Sequence, residues 1–106
     1  LLASKRNVAQ EYKNYFDDKE VVFFNEPEGC RSNYWLNAII FNSNVERDYW
    51  LEVSNISGVM TRPVWRLMTR LPMYKNCISG PLCNSEWAEG HILNIPSSAR
   101  LEDIKR

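Results

Sequence analysis

The sequence predicts one small domain of the α/β or α+β class, with helices packed on one side of a small mixed or antiparallel sheet. Its 106 residues match the commonest size of a single domain. Hydrophobic residues make up 44% of the chain and aromatic residues 12%, which is enough to build a core. Helix-like and strand-like spacings of apolar residues alternate along the chain, and no internal repeat is visible.

The first part of the chain is predicted to form a helix and then a short strand. Apolar residues recur at spacings of three, four and seven over 1–17, which is typical of an amphipathic helix. A β-branched and aromatic run predicts a strand over 21–24, and the proline and glycine of 25–30 predict a turn. The expected buried side chains of the helix are Leu1, Val8, Tyr12, Tyr15 and Phe16.

The stretch 33–41 is the clearest strand. Its even-numbered residues from Tyr34 to Ile40 can all be buried on one face. The opposite face mixes aromatic and amide side chains at its start, where Trp35 and Asn37 stand. Such a face suits the wall of a pocket as well as a packed layer, and both interpretations remain open at this point.

A second helix is predicted over 44–56. Ser43 followed three residues later by Glu46 is a capping-box pattern, and Gly58 supplies a usual helix exit. A brief extended segment is expected at 59–60. The expected buried stripe of the helix consists of Val45, Tyr49, Val53 and Ile56.

The remaining part is predicted to be rich in loops, because prolines interrupt it. The predicted elements are, in chain order, loop and short helical turns over 62–74, a polar loop over 76–81, a helix over 86–90, a strand over 92–95 and a last helix over 99–106. Asn84 or Ser85 is the expected cap of the first of these two helices.

Charge and cysteine content exclude several classes of function. Thirteen acidic and thirteen basic residues cancel, so neither nucleic acid nor a membrane is an expected partner. No apolar run approaches the roughly 20 residues that span a bilayer. Cys30, Cys77 and Cys83 lack zinc-site spacing, and with His91 as the only histidine we expect reduced thiols in a cytoplasmic protein and no metal site.

No catalytic constellation is visible in the sequence. All five lysines stand beside polar or charged residues, and no glycine-rich phosphate loop is present. The sequence opens at Leu1 without a methionine and ends at Arg106, directly after Ile104 and Lys105. We therefore expect one domain, spanning 1–106, of a larger intracellular enzyme whose chemistry this domain cannot perform alone.

Two segments are candidates for ligand binding. Over 61–72, three arginines including Arg62 are spaced four apart around Trp65; guanidinium groups offer a fork to phosphate and an indole offers a flat face to a base or sugar. A solvated charged stripe over a core contact is the alternative. The second segment, 31–35, leads into the central strand, where Trp35 either lines a site or fills the core.

Three stretches carry a family resemblance. RSNYWLNAIIF (31–41), GVMTRPVWRLMTRLPMY (58–74) and LNIPSS (93–98), in this order, resemble the C-terminal small domain of the DegT/StrS-type pyridoxal-phosphate-dependent sugar aminotransferases, a fold-type I aminotransferase group. The resemblance covers 20–98, and the preceding helix extends it to nearly the whole chain. It is strongest to the subgroup that aminates keto-sugar nucleotides for legionaminic acid and related bacterial surface sugars.

The resemblance implies transfer of the amino group of glutamate to a nucleotide-linked 4-keto-6-deoxy sugar, for bacterial surface polysaccharides. It also implies a homodimer whose separate large domain holds pyridoxal phosphate and the Schiff-base lysine. We therefore expect no catalytic residue and no bound cofactor in this chain. The resemblance and the patterns above together give five candidate substrate-binding residues, which are Tyr34, Trp35, Asn37, Arg62 and Trp65.

The sequence departs from the family pattern at two places. Tyr34 and Trp35 fall where many members have an aromatic residue followed by histidine beside the cofactor, so a proton-shuttle role is lost at Trp35. Trp65 falls where members commonly have a tyrosine before prolines, which Arg66 and Leu67 replace here. The alternative function is a non-enzymatic module that binds a nucleotide or a partner chain, or dimerises, through the Trp/Arg surface.

Overall fold

The computed structural model describes residues 1–100 and 102. The helices and strands are α1 (Leu2–Phe16), β1 (Val22–Phe23), β2 (Asn37–Ile40), α2 (Asn44–Ile56), β3 (Arg62–Pro63), α3 (Cys83–His91) and β4 (Ile92–Ile95). Two short 3₁₀ turns, Met68–Arg70 and Pro72–Tyr74, lie between β3 and α3. None of the helices in the described residues has the length and apolar character needed to cross a membrane.

The four strands form one sheet in the order β1-β2-β4-β3, and every pair of neighbours is antiparallel. The long central pairing sets Asn37 opposite Ile95 and Ile40 opposite Ile92. The predicted class, a small sheet packed by helices, is confirmed, and the sheet is the antiparallel one of the two forms considered. Antiparallel neighbours allow one face of the sheet to pack on a core while the other stays more open.

The core lies between one face of the sheet and the helices α1 and α2. Side chains that alternate along a strand share a face, so Leu93 and Ile95 point to the same side. Tyr12 of α1 and Leu51 of α2 pack against this cluster. The buried members of the cluster are Ala9, Phe23, Ile39, Phe41, Leu93 and Ile95.

The ends of α2 form as the sequence predicts. The Ser43 side chain accepts a hydrogen bond from the backbone N–H of Glu46 at 3.1 Å, which satisfies one of the free donors of the first turn. Gly58, with φ of 85°, ends the helix in the left-handed region that favours glycine. The Val59 N–H then bonds back to the Ser54 carbonyl at 2.8 Å, as in a Schellman motif.

The predicted buried stripe of α1 is partly confirmed, because Val8 is buried and Tyr12 and Phe16 pack against the core. In α1 the small residues Ser4 and Ala9 are buried beside Val8, whereas Leu1 and Tyr15 are exposed. Small side chains let a helix backbone approach the sheet closely, so Ala9 joins Tyr12 and Phe16 on the face of α1 that packs against the core.

The predicted buried stripe of α2 is largely wrong. Val45, Tyr49 and Ile56 are exposed, and the buried residue of this helix is Arg47. A charged residue in the buried position reflects long-range hydrogen bonds that helical spacing cannot show.

Several strand and helix bounds also differ from the prediction. The central strand begins at Asn37 instead of 33, and its odd-numbered residues face the core. The short strand β3 lies at Arg62–Pro63 instead of 59–60. α3 begins at Cys83 without a side-chain cap, so the predicted cap at Asn84 or Ser85 is wrong. Of the predicted last helix, residues 101 and 103–106 lie outside the described residues.

Arg47 joins α2 to the junction of α3 and β4. One nitrogen of its guanidinium, Nη1, donates to the carbonyls of Glu89 and Ile92 at 2.8 and 3.0 Å. Its Nε pairs with Asp48 at 2.8 Å. Because the carbonyls at a helix end lack partners within the helix, these bonds satisfy groups that are partly shielded from water.

We expect Arg47→Ala to lower the free energy of unfolding by about 3 kcal/mol, because it removes two charge-assisted bonds and leaves two carbonyls unpaired. Urea denaturation followed by far-UV circular dichroism measures this. Arg66→Ala, at an exposed arginine, is the matched control and is expected to change stability by at most about 0.5 kcal/mol. Equal effects of the two substitutions would contradict the role of Arg47.

Candidate functional site

Two exposed tryptophans from distant parts of the sequence stack on each other. The ring centroids of Trp35 and Trp65 lie 6.3 Å apart with an interplanar angle of 30°. The two residues are 64% and 69% exposed, so the rings lie on the surface and not in the core. We call Trp35 and Trp65 the tryptophan pair. Aromatic rings offer flat faces on which a base or a sugar can stack.

The segment that leads to Trp35 is fixed to α1 by Glu26. Its carboxylate accepts two bonds from the Arg6 guanidinium, at 2.9 Å between Nη2 and Oε1 and at 3.2 Å between Nη1 and Oε2. Oε2 also accepts the backbone N–H of Ser32 at 2.6 Å. Arg6 in turn donates to the Ser32 carbonyl. The turn at 27–30 is therefore held at both of its ends.

Tyr34 bends the backbone immediately before Trp35. Its φ of 46° lies in the left-handed region, which is unusual for a residue with a large side chain. The ring stacks on Phe23 with centroids 6.3 Å apart, and the guanidinium carbon of Arg6 lies 5.6 Å from the ring centroid. The hydroxyl accepts the backbone N–H of Glu26 at 3.1 Å. Tyr34 thus ties the segment together through both its ring and its hydroxyl.

Further bonds hold the backbone of Trp35 itself. The Asn33 side chain accepts the Trp35 N–H at 3.0 Å, as in an Asx turn. Lys5 Nζ donates to the carbonyls of Trp35 and Ser97, at 3.3 and 2.5 Å. The indole therefore extends from a backbone that is fixed on both sides of its Cα.

The segment that carries Trp65 is held by Glu89 of α3. Glu89 Oε2 accepts the backbone N–H of Leu67 at 2.6 Å, and Oε1 pairs with Arg70 Nε at 2.8 Å. The Glu89 side chain is only 21% exposed, so this pair is shielded better than an ordinary surface salt bridge. One carboxylate thus bridges the start and the end of the first 3₁₀ turn.

The ion pair between Arg6 and Glu26 changes the pKa of both groups. The hydrogen bond from Arg6, followed by the bond from the Ser32 backbone, lowers the pKa of Glu26 from its ordinary 4.5. The same hydrogen bond to Glu26 raises the pKa of Arg6. Each partner therefore stabilises the charged form of the other.

The structure separates the predicted site residues. It brings Trp35 and Trp65 together, whereas Asn37 is only 1% exposed in the interior of the sheet. Neither Nδ2 nor Oδ1 of the Asn37 side chain has a hydrogen-bond partner among the described residues. Arg62 is exposed and donates to the Asn55 side chain and the Thr61 carbonyl, at 3.2 and 2.9 Å.

Glu26 and Glu89 were not predicted as members of the site. Glu26 stands in a predicted turn and Glu89 in a predicted helix, and neither position carries a local motif. Their partners Arg6 and Arg70 lie 20 and 19 residues away in sequence. Only the folded arrangement reveals them.

A separate apolar groove of about 470 Å³ lies between α1 and α2. It contains neither residue of the tryptophan pair. Its lining includes Tyr12, Phe16, Phe41, Trp50 and Leu93.

Cys30, Cys77 and Cys83 are exposed thiols, and within 1–100 and 102 no three histidine, cysteine or acidic side chains are grouped to hold a metal.

Comparison with known proteins finds similarity to sugar-modifying enzymes. No family model matches the chain. The GDP-perosamine synthase of Vibrio cholerae is 28% identical over 102 residues, which cover 92% of this chain and 27% of that protein. The chain therefore spans about a quarter of the curated relative that it matches.

Solved structures share the fold over nearly the whole chain. Helicobacter pylori PseC, an aminotransferase involved in the biosynthesis of pseudoaminic acid, matches 96% of this chain and 29% of its own, with a TM-score of 0.81 and 17% identity. A DegT DnrJ EryC1 StrS aminotransferase from Brucella abortus matches 91% of this chain and 26% of its own, with a TM-score of 0.77 and 21% identity.

A third neighbour is Spr1654 from Streptococcus pneumoniae, solved in its PLP and PMP forms. The PLP form matches 97% of this chain and 28% of its own, with a TM-score of 0.79 and 18% identity. At these identities the likeness shows the fold. It supports the resemblance to the DegT/StrS-type group at that level, and none of the proteins compared above carries a name that refers to legionaminic acid.

The Glu26 ion pair predicts a defined loss of stability in acid. Because the folded-state pKa of Glu26 lies below 4.5, the folded chain binds fewer protons than the unfolded chain, and the pair stabilises the fold above this value. This contribution is lost as the pH falls through the lowered pKa. We expect the stability difference between wild type and Glu26→Gln, measured by urea denaturation, to be largest at neutral pH and to narrow in acid.

The matched control is Glu28→Gln, at an exposed glutamate of the same turn. Its stability difference from wild type is expected to stay small throughout the titration. A Glu26→Gln difference that stays constant from neutral pH to well below 4.5 would contradict the role of this ion pair.

Proposed function

We propose that this chain is the C-terminal small domain of a larger pyridoxal-phosphate-dependent aminotransferase. The larger enzyme transfers the amino group of glutamate to a nucleotide-linked 4-keto-6-deoxy sugar. Within it, this domain contributes the tryptophan pair to the side that receives the sugar nucleotide. The cofactor and the lysine that binds it lie in the separate large domain.

The observation that carries this proposal is the fold likeness over nearly the whole chain. Each of the aminotransferase structures compared matches this chain over 26 to 29% of its own length. A domain that recurs as about a quarter of such enzymes works together with the rest of them. The name of the Vibrio cholerae relative denotes a GDP-linked amino sugar, which agrees with a nucleotide-sugar substrate.

The described lysines do not fit the role of the cofactor's lysine. That role needs an amine whose charge is disfavoured by burial or by a neighbouring cation. Lys5 is bonded to two carbonyls and Lys19 is paired with Asp18, while Lys13 and Lys75 are exposed. We therefore assign the cofactor to the large domain and attribute only substrate contacts to this chain.

The tryptophan pair suits the flat parts of a sugar nucleotide. A base stacked on an aromatic side chain gains about 1–3 kcal/mol, as judged by substitution with alanine. The exposed guanidinium of Arg62 can provide a forked contact to a phosphate. Trp35, Trp65 and Arg62 therefore form our proposed substrate-binding set, whereas Tyr34 and Asn37 support the fold around it.

The finer assignments follow from the family resemblance. We propose a cytoplasmic homodimer that acts in the biosynthesis of bacterial surface polysaccharides, within the legionaminic acid subgroup. The resemblance of 31–41, 58–74 and 93–98 supports these assignments. Purification of the full-length protein, followed by measurement of its oligomeric state and of its preference among sugar nucleotides, tests these assignments directly.

In the full-length enzyme we expect Trp65→Ala to raise the KM for the sugar nucleotide about tenfold, because a stacking surface is lost. Arg62→Ala should act in the same direction. Neither should change the half-reaction with glutamate, which does not use this surface. Stopped-flow absorbance of the cofactor separates the two half-reactions.

Trp87→Ala is the matched control, because Trp87 is also half-exposed but stacks on His91 and not on the pair. It should leave both half-reactions unchanged. Equal damage to both half-reactions by Trp65→Ala would point to lost folding. Two findings together would favour the non-enzymatic module. They are tight binding of a nucleotide by this chain alone and the absence of a large domain from the longer protein.

The isolated chain is expected to show no transamination when pyridoxal phosphate and glutamate are supplied. It is also expected to show no absorbance band of a lysine-bound cofactor. Both follow from the assignment of the cofactor's lysine to the large domain. Measurable turnover by these 106 residues would overturn the division of roles between the two domains.

A further inference from the structure

We propose that Glu26 and Glu89 are positioning residues for the tryptophan pair, and that each holds the segment carrying one of the two indoles. The consequence of this positioning for substrate binding rests on the proposed function. The geometry is a property of this chain alone and is tested on this chain alone.

The tryptophan pair needs an external constraint. Both rings are well over half exposed, so burial fixes neither of them. They also belong to segments that leave the sheet: Trp35 precedes β2 by two residues, and Trp65 follows β3 by two residues. Rings on two independent surface segments stay 6.3 Å apart only if the backbones of both segments are fixed.

Glu89 provides this constraint for Trp65. Its two oxygens reach two donors of one segment, the Leu67 N–H and the Arg70 guanidinium. Leu67 stands two residues after Trp65, so the direction in which the chain leaves Trp65 is set by this bond. The backbone of Glu89 is itself fixed, because its carbonyl accepts a bond from the buried Arg47.

Glu26 provides the corresponding constraint for Trp35. Arg6, in the middle of α1, presents a rigid fork to its carboxylate. The same carboxylate holds the Ser32 N–H, and the Glu26 N–H holds the Tyr34 hydroxyl. The chain is thereby fixed at two of the three residues before Trp35.

The two carboxylates share one chemical feature. Each accepts a short bond, 2.6 Å, from a backbone N–H and a second bond from an arginine. A carboxylate has two accepting oxygens, whereas glutamine has one and carries donors on its nitrogen. Replacement by glutamine therefore removes the charge and one accepting oxygen at nearly constant size. At Glu89 this removes one of the two bonds, and at Glu26 it removes at least the bond between Arg6 Nη2 and Oε1 and weakens the others by removing the charge.

The test uses the optical coupling of the two indoles. Two nearby indoles give a bisignate band in the circular dichroism of their shared absorption, and Trp35→Phe and Trp65→Phe each define the part due to the pair. We expect Glu26→Gln and Glu89→Gln to reduce this part by roughly twofold or more, since each loses a charge-assisted bond. Thermal unfolding should stay cooperative. A pair signal equal to that of wild type in both variants would overturn the proposal.

Glu11→Gln is the matched control. Glu11 lies on α1 and pairs with Arg100, so the change in charge is the same but touches neither segment of the pair. A loss of pair signal in Glu11→Gln as large as in the other two would also overturn the proposal. Should Glu89→Gln unfold, Arg70→Gln removes only the ion pair and keeps the bond to Leu67. An unchanged signal there would overturn the part of the Glu89–Arg70 ion pair in positioning Trp65.

A second measurement separates this proposal from the proposed function. In the full-length enzyme both variants should raise the KM for the sugar nucleotide roughly tenfold, because misplacing a binding group by about 1 Å is costly. The half-reaction with glutamate should be unchanged. A reduced pair signal without a change in KM would uphold the positioning role and count against the substrate-binding role of the pair.

Discussion

The left-handed backbone of Tyr34 is the constraint on which the surface around Trp35 depends. A residue with a large side chain at φ of 46° costs of order 1–3 kcal/mol, so the surroundings must enforce it. The stack on Phe23 and the bond from the Glu26 N–H to the hydroxyl do so together. Because the extended run breaks at this residue, Trp35 turns out of the sheet and β2 begins only at Asn37.

The presence of this strand was predictable from the sequence, but which of its two faces is buried was not. The sequence correctly indicated strands at 21–24 and 92–95, the cap at Ser43 and the helix exit at Gly58. Over 33–41, however, both faces carry apolar side chains, so alternation alone cannot select the buried one. Pairing with β4 selects it, since Leu93 and Ile95 are buried on the face shared by Ile39.

The predicted buried residues of the helices are partly wrong for a related reason, because burial depends on tertiary partners as well as on local spacing. Tyr15 and Tyr49 have the spacing of buried residues but are exposed, whereas Ala9 of α1 is buried. Arg47 is buried because carbonyls 42 and 45 residues away accept its bonds. Glu89 escaped prediction in the same way, since its partners lie on a loop about 20 residues earlier.

The candidate site is thus physically separable from the core that supports it. The core face of the sheet packs on α1 and α2, while Trp35 and Trp65 lie on segments outside the strands and are held by polar bonds. Changes of Trp35 or Trp65 can alter the surface without disturbing the sheet, because neither side chain of the pair belongs to the buried cluster. The solved neighbours keep the fold with fewer than a quarter of their residues identical, as such a division allows. Two carboxylates, together with the left-handed turn at Tyr34 and the bonds from Lys5 and Asn33, hold the segments that carry the pair outside this core.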